Sequence, residues 1–205
     1  MTRTRIVAGL VILLALAALA AYSGKAVRAN SSEWSRYVPG DELIPQPIGS
    51  VTHAITIRRA PQAVWPWLAQ MGSGRGGWYA YDFIDNGGQA SARRILPEYQ
   101  DIAVGSVFPA LPGVKDVFVV AQFEAGHYLV LAWRSPGGQY FTTWAFMLEE
   151  PQPGITRLIV RGHVGPNYHP FGLPQWVARL IAPGAHFIME RKQLLGIARR
   201  AEGQP

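Results

Sequence analysis

Hydrophobic and polar positions divide this chain into stretches of different period. Val51, His53, Ile55 and Ile57 alternate with Thr52, Ala54 and Thr56, the period-two pattern of a half-buried strand. Val64, Trp65 and Leu68 then recur at helical spacing behind Pro61, whose missing N–H is harmless in a helix's first turn. Pro66 either lies within the first turns of that helix or kinks it, and Gly72 ends it. From Gly105 onward the pattern returns to strands. Val114–Glu124, His127–Arg134, Tyr140–Glu149 and Ile155–Val164 are rich in β-branched and aromatic residues. Turn signals at Ala125-Gly126, at Pro136 to Gly138 and at Pro151 to Gly154 separate them, so consecutive antiparallel hairpins are expected. The meander has four strands, or five with Ser106–Leu111.

The last part changes period again. Phe187, Ile188, Leu194, Leu195 and Ala198 fall near one helical face, with Glu190, Arg191, Arg199 and Arg200 solvated around it. Pro183-Gly184 marks the start of this helix, and a shorter one, Pro174 to Ile181, precedes it. Strand, helix, meander and long C-terminal helix predict an α+β fold. Its curved antiparallel sheet has one apolar face, which the last helix covers.

The N-terminal end behaves differently. Ile6 to Tyr22 carries no charge, with Arg3 and Arg5 before it and Lys25 and Arg28 after it. A run of this length is at the lower limit, roughly 17 residues, for a helix that spans a bilayer. The leading expectation is a single-pass membrane anchor over residues 1–28, which places the domain outside the cytoplasm if the N-terminus stays inside. A cleaved signal peptide also fits, since Ala18-Leu19-Ala20 matches A-x-A. A buried soluble helix is the third reading. Residues 29–50 form a connector in which Pro39-Gly40, Pro45 and Pro47 forbid regular structure, expected to run along the surface of the domain at 51–202.

Composition changes this picture only a little. The 205 residues suffice for one domain with a substantial core. The formal charge of +6 owes much to Arg3, Arg5, Lys25 and Arg28; without them fifteen basic and thirteen acidic residues leave +2. No dense basic stripe interleaved with aromatics occurs, so nucleic acid is not an expected partner. The absence of cysteine excludes disulfides, thiol nucleophiles and Cys-ligated zinc.

Gly72, Gly74 and Gly77 spell G-x-G-x-x-G. A dinucleotide loop needs strand, glycine turn and helix in that order. Here the glycines follow a helix, so no nucleotide cofactor is expected. The segment "ITIRRAPQAVWPWLAQMGSGRGGWYAYDFIDN" instead resembles the opening of START-like proteins, the polyketide cyclase/dehydratase and lipid-transport superfamily also called SRPBCC. Those begin with a strand and an "A-P-x-x-V-W-x-W-L" helix. A bacterial subgroup with "G-R-G-G-[WF]-Y-[AS]-Y-D" is closer still. Its later "ILPEYQDIAVGSVF" and "MERKQLLGIARRAE" are similar to Ile95–Phe108 and Met189–Glu202, so the resemblance runs from Pro39 to Glu202.

The resemblance implies a helix-grip fold, its sheet wrapped around the C-terminal helix with a ligand cavity between them. The expected occupant is a hydrophobic or amphipathic small molecule, a lipid or an aromatic compound. Candidate contacts are Trp78, Tyr79, Tyr81, Phe118, Trp133, Trp144 and Phe187, with His53 and Asp82 as polar groups; each is also compatible with a core, capping or surface role. Trp78, Tyr81 and Phe83 are expected inward, and Asp82 and Asp85 are expected to face out or to cap. The "GSGRGG" ahead of them reads as the hinge of a movable aromatic flap. Arg157, Arg161 and His163 share a face expected to meet solvent. No metal-ligand spacing occurs among the five histidines, and no nucleophile, base and orienting acid emerge together. Catalytic residues stay unassigned. A cyclase or dehydratase using His53, Asp82 or a tyrosine is the alternative, and it requires at least two of these groups to converge in one pocket.

Overall fold

A computed structural model describes residues 25–113, 117–134, 137–166, 168 and 175–204. The hydrophobic run Ile6 to Tyr22 lies outside these residues. Among the described residues no helix is long and apolar enough to cross a membrane.

Six antiparallel strands form one sheet: β1 (Gly49–Ile57), β2 (Val107–Pro109), β3 (Val117–Glu124), β4 (Tyr128–Arg134), β5 (Tyr140–Gln152) and β6 (Ile155–Val164). Their order is β1-β6-β5-β4-β3-β2, a meander whose last strand returns to pair with the first. The helices are α1 (Ser31–Ser35), α2 (Pro61–Ala69), the single turn α3 (Asp82–Asp85) and α4 (Gln175–Ala201). The long helix runs unbroken through Pro183 and Gly184, where the sequence predicts a boundary between two helices. Proline removes one backbone bond and crowds the preceding turn. Packing of the following turns against the sheet outweighs that local preference.

The inner face of the sheet carries the main core. Ile55 and Ile57 of β1, Leu129 and Leu131 of β4, Phe146 of β5 and Leu158 and Val160 of β6 meet Leu194, Ile197 and Ala198 of α4. Val64 and Leu68 of α2 close the same cluster. The period-two and period-3.6 patterns thus point at one another across a single layer boundary.

The outer face is covered too, by the connector. Val38 packs with Val130 and Ala145, and Ala29 packs with Ala54 and Ile159. Gly40 has φ 95° and lies so close to the sheet that a Cβ there would come within 2.7 Å of Val130. Only glycine fits both demands. Asn30 caps α1 by accepting from the Glu33 N–H, while the Glu33 carboxylate takes the Asn30 N–H, a reciprocal capping box.

This cover corrects the expectation for the outer face of β6. Arg161 and His163 are buried. Arg161 Nε donates to Thr52 Oγ1 at 3.0 Å, and its Nη1 donates to Asp41 Oδ2 and the Arg36 carbonyl, both at 2.8 Å. Its Nη2 donates to the carbonyls of Glu33 and Trp34. Arg157 grips Glu33 with bonds of 2.7 and 3.0 Å. That bond holds the Glu33 carboxyl below its ordinary range despite burial. The connector therefore supplies carbonyls and carboxylates to cations that the strand pattern alone assigns to water.

Candidate functional site

The site begins with spacing on α4. Residues four apart lie on one helical face, so His186 stands one turn before Glu190, and Gln193 follows three positions later. This face looks toward β1 and β5. His53 Nδ1 of β1 bonds to Glu190 Oε2, and Trp144 Nε1 of β5 donates to Glu190 Oε1 at 3.0 Å. His186 Nε2 lies 3.3 Å from Glu190 Oε2. Glu190 is only 1% exposed. Burial pushes its carboxyl upward, but the bonds to His186 and His53 outweigh that and hold it at about 2. Burial disfavours a charged His186, yet the hydrogen bond and the charge of Glu190 raise its pKa above the ordinary value. The sequence pattern assigns Glu190 to the solvated side of the helix; it is instead the centre of a buried ionic cluster.

Against this cluster lies a cavity of about 130 Å³, partly open, bounded by Trp78, Phe118, Trp144, Asp85, His186, Glu190 and Gln193 among others. Trp78 and Trp144 stack at 5.5 Å with 27° between planes. Phe118 meets Trp78 edge-on at 5.8 Å. Trp78 is anchored through Nε1, which donates to the Ala110 carbonyl at 3.0 Å. Three α4 groups, His186, Glu190 and Gln193, and one α3 group, Asp85, supply the polar part. Asp85 is 5% exposed, and neither carboxylate oxygen has a hydrogen-bond partner. Burial first, and the neighbouring charge of Asp82 second, push its carboxyl up to about 6. Gln193 Oε1 is likewise unpartnered, while its Nε2 faces Met71 Sδ at 3.7 Å.

The glycine loop holds Trp78 in place. Gly72 and Gly77 exchange backbone bonds of 3.2 and 3.0 Å, and the Ser73 N–H donates to Pro109 of β2 at 2.9 Å. Arg75 is sandwiched between the rings of Tyr99 and Phe108, each 4.5 Å from its guanidinium. It also donates to the carbonyls of Met71 and Ala69. Gly77, at φ 80°, presses so closely on Ser91 that a Cβ would sit 2.3 Å from its Oγ. The glycines therefore serve close packing and left-handed backbone in a pinned loop, where the sequence reads as a hinge.

The sequence candidates separate into groups. Trp78, Phe118 and Trp144 line the cavity. His53 stands behind Glu190, and its ring lies 5.4 Å from that of Phe187. Both line a second, wider hollow of about 650 Å³ with Trp34 and Arg28. Tyr79 is core: it is buried and donates to the Trp67 carbonyl at 3.0 Å. Tyr81 and Phe83 face outward, with Phe83 89% exposed, contrary to the inward packing expected of them. Asp82 is half-buried and binds the Ser91 backbone N–H and hydroxyl, holding α3 to the loop that follows. Asp85, expected outside, is inside. Trp133 packs with Phe141 and Tyr168 and does not line the cavity. Sequence reasoning missed Glu190, His186, Asp85 and Gln193. The available signal was His186-x-x-x-Glu190, an acid and a base one helical turn apart. Among the described residues no group of His, Asp and Glu is arranged to hold a metal ion.

Sheet, cavity and covering helix have the START-like helix-grip layout that the sequence resemblance implies. Similar solved structures include an HSP90 activator from Plasmodium falciparum, 13% identical with a TM-score of 0.45, covering 71% of this chain and 94% of that one. CalU16 from Micromonospora echinospora is 13% identical with a TM-score of 0.42, covering 76% of each chain. A polyketide cyclase-like protein from Corynebacterium glutamicum is 14% identical with a TM-score of 0.38, covering 78% of this chain and 89% of that one. No family model and no curated protein sequence matches the chain.

Proposed function

We propose that the protein binds a small aromatic or otherwise apolar molecule in the cavity between sheet and C-terminal helix. The observation that carries this reading is the cavity wall itself, with Trp78, Trp144 and Phe118 in mutual ring contact around about 130 Å³ of space. Concave, mostly apolar sites with a few convergent polar groups are where small ligands are held. The volume favours a compact ring over a long acyl chain, since an apolar cavity of about 150 Å³ takes up benzene. A cyclase or dehydratase using His53, Asp82 or a tyrosine requires at least two of these groups to converge in one pocket. His53 joins Glu190, Asp82 joins Ser91 and the Tyr79 hydroxyl joins Trp67, so the three do not converge.

The test is ligand uptake by the full-length chain. Toluene, indole and benzyl alcohol are titrated while indole fluorescence and native mass spectra are recorded. Saturable one-to-one binding is expected, and Ala110→Leu, which adds bulk to the cavity lining, removes it. A folded wild-type chain that takes up none of the three overturns the reading.

A further inference from the structure

The polar groups that face this cavity divide by whether they are already used. Both oxygens of Glu190 are engaged, by Trp144, His53 and His186. The imidazole of His186 faces Glu190 Oε2 at 3.3 Å, and that carboxylate favours its protonated form. Without a hydrogen-bond partner at this wall are three acceptor atoms, Asp85 Oδ1, Asp85 Oδ2 and Gln193 Oε1, and one imidazole nitrogen, His186 Nε2, which has Glu190 Oε2 beside it at 3.3 Å. Buried polar atoms in folded proteins are almost always paired, because a carboxylate withdrawn from water without a donor is costly. Asp85 has no ion pair with any lysine, arginine or histidine among the described residues. The tryptophan faces beside it carry the negative side of the ring quadrupole, which attracts cations. Acceptors, a buried anion and electron-rich ring faces therefore point in one chemical direction.

Resting on the binding reading above, we propose that the ligand is a small organic cation whose ammonium-type head donates to Asp85 and Gln193 while its apolar body lies against Trp78 and Trp144. The site disfavours carboxylates, since Asp85 and Glu190 both border it. It gives a neutral ring no donor to answer Asp85. Burial and Asp82 push the Asp85 carboxyl up to about 6, a cost that a bound cation relieves.

Four molecules with one ring and different heads test this: benzylammonium, benzyl alcohol, toluene and phenylacetate. Their binding to the full-length chain is measured by calorimetry at about pH 7.5. Benzylammonium binds at least about tenfold more tightly than toluene or benzyl alcohol, and phenylacetate binds weakest. Asp85→Asn brings the ratio of benzylammonium to toluene affinity down to about one, with an unchanged circular dichroism spectrum as the check on folding. Carbon-detected NMR of the Asp85 carboxyl shows its titration moving to lower pH when benzylammonium is bound. The ligand series and the titration use the wild-type chain and stand without the variant. Equal binding of toluene and benzylammonium, or a preference that survives Asp85→Asn, overturns the cation and leaves the aromatic reading intact. Failure of all four to bind overturns both.

Discussion

Arg161 and Asp85 are both buried charges, on opposite sides of the sheet, and they differ in one respect. Arg161 directs its guanidinium into three backbone carbonyls, one hydroxyl and one carboxylate, all supplied by β1 and the connector. Asp85 borders a cavity and its carboxylate makes no hydrogen bond, the backbone N–H groups of Tyr81 and of Asp85 itself being the donors near it. A buried charge with every direction occupied fixes structure, because its removal strands several partners at once. A buried charge with no direction occupied stabilises nothing by itself. Its place in a ring-lined hollow marks it as a group that waits for a partner from outside. Glu190 lies between the two: fully partnered like Arg161, yet on the wall of the same cavity as Asp85.

The largest effect is expected on the outer side. Arg161→Met leaves Asp41, Thr52 and the carbonyls of residues 33, 34 and 36 without their donor. Loss of one member of such a buried set costs about 3–5 kcal/mol. Urea denaturation measures it, and limited proteolysis shows the connector becoming the first cleavage site. A loss under about 1 kcal/mol would show that apolar contacts alone hold the connector down, and the contrast with Asp85 would collapse.

Glu190→Gln comes next, at about 2–3 kcal/mol, because His186 loses the carboxylate charge beside it and His53 loses its carboxylate partner while the packing volume stays the same. Its pH signature is two-sided. The carboxyl is held at about 2, below its ordinary 4.5, so its contribution is complete above about pH 4.5 and is lost as pH falls toward 2. The pKa of His186 is raised above its ordinary 6.5, so its contribution is complete below that value and is lost as pH rises through the folded one. Wild-type stability has its plateau between these limits, and the glutamine variant flattens both flanks. Denaturation midpoints across pH check this; a variant with the same profile as wild type would remove the ionic cluster from the ledger of what holds α4 to β1.

How much of this was legible in the chain follows from range. The meander and its cover were legible because alternation and helical spacing are local, and β1 through β6 fall where the pattern places them. His53 stood out because a titratable group on the apolar face of a strand breaks the pattern. Its partner did not, since Glu190 lies 137 residues away and sits beside Arg191 in a run that reads as solvated. Arg161 was misread for the complementary reason. Its strand face looks polar, and only the connector folding back over it turns that face into an interior. The "GSGRGG" loop misleads in a third way. Glycines mark where backbone must turn or approach closely, and without the view of Arg75 between Tyr99 and Phe108 such a segment looks loose. Asp85 lies inside against expectation because a single helical turn, α3, offers no periodicity to orient it.

The smallest expected effect has the opposite sign, and it separates the two buried charges most sharply. Asp85→Asn removes a charge that burial and Asp82 oppose. The folded carboxyl titrates at about 6, above its ordinary 3.8, so ionisation costs stability. That cost is absent below the lower value, grows as pH rises between the two, and is complete above the higher. The asparagine variant is therefore level with wild type near pH 4 and about 1 kcal/mol more stable above pH 7, the gain limited by the amide's own unpaired groups. Paired urea titrations at the two pH values resolve a difference of this size. A variant that loses stability at pH 7 would mean that Asp85 is held by a donor and belongs with Arg161 among the structural charges. A variant that gains stability as it loses the preference for an ammonium head would show a residue kept against the interest of the fold, for the sake of what it binds.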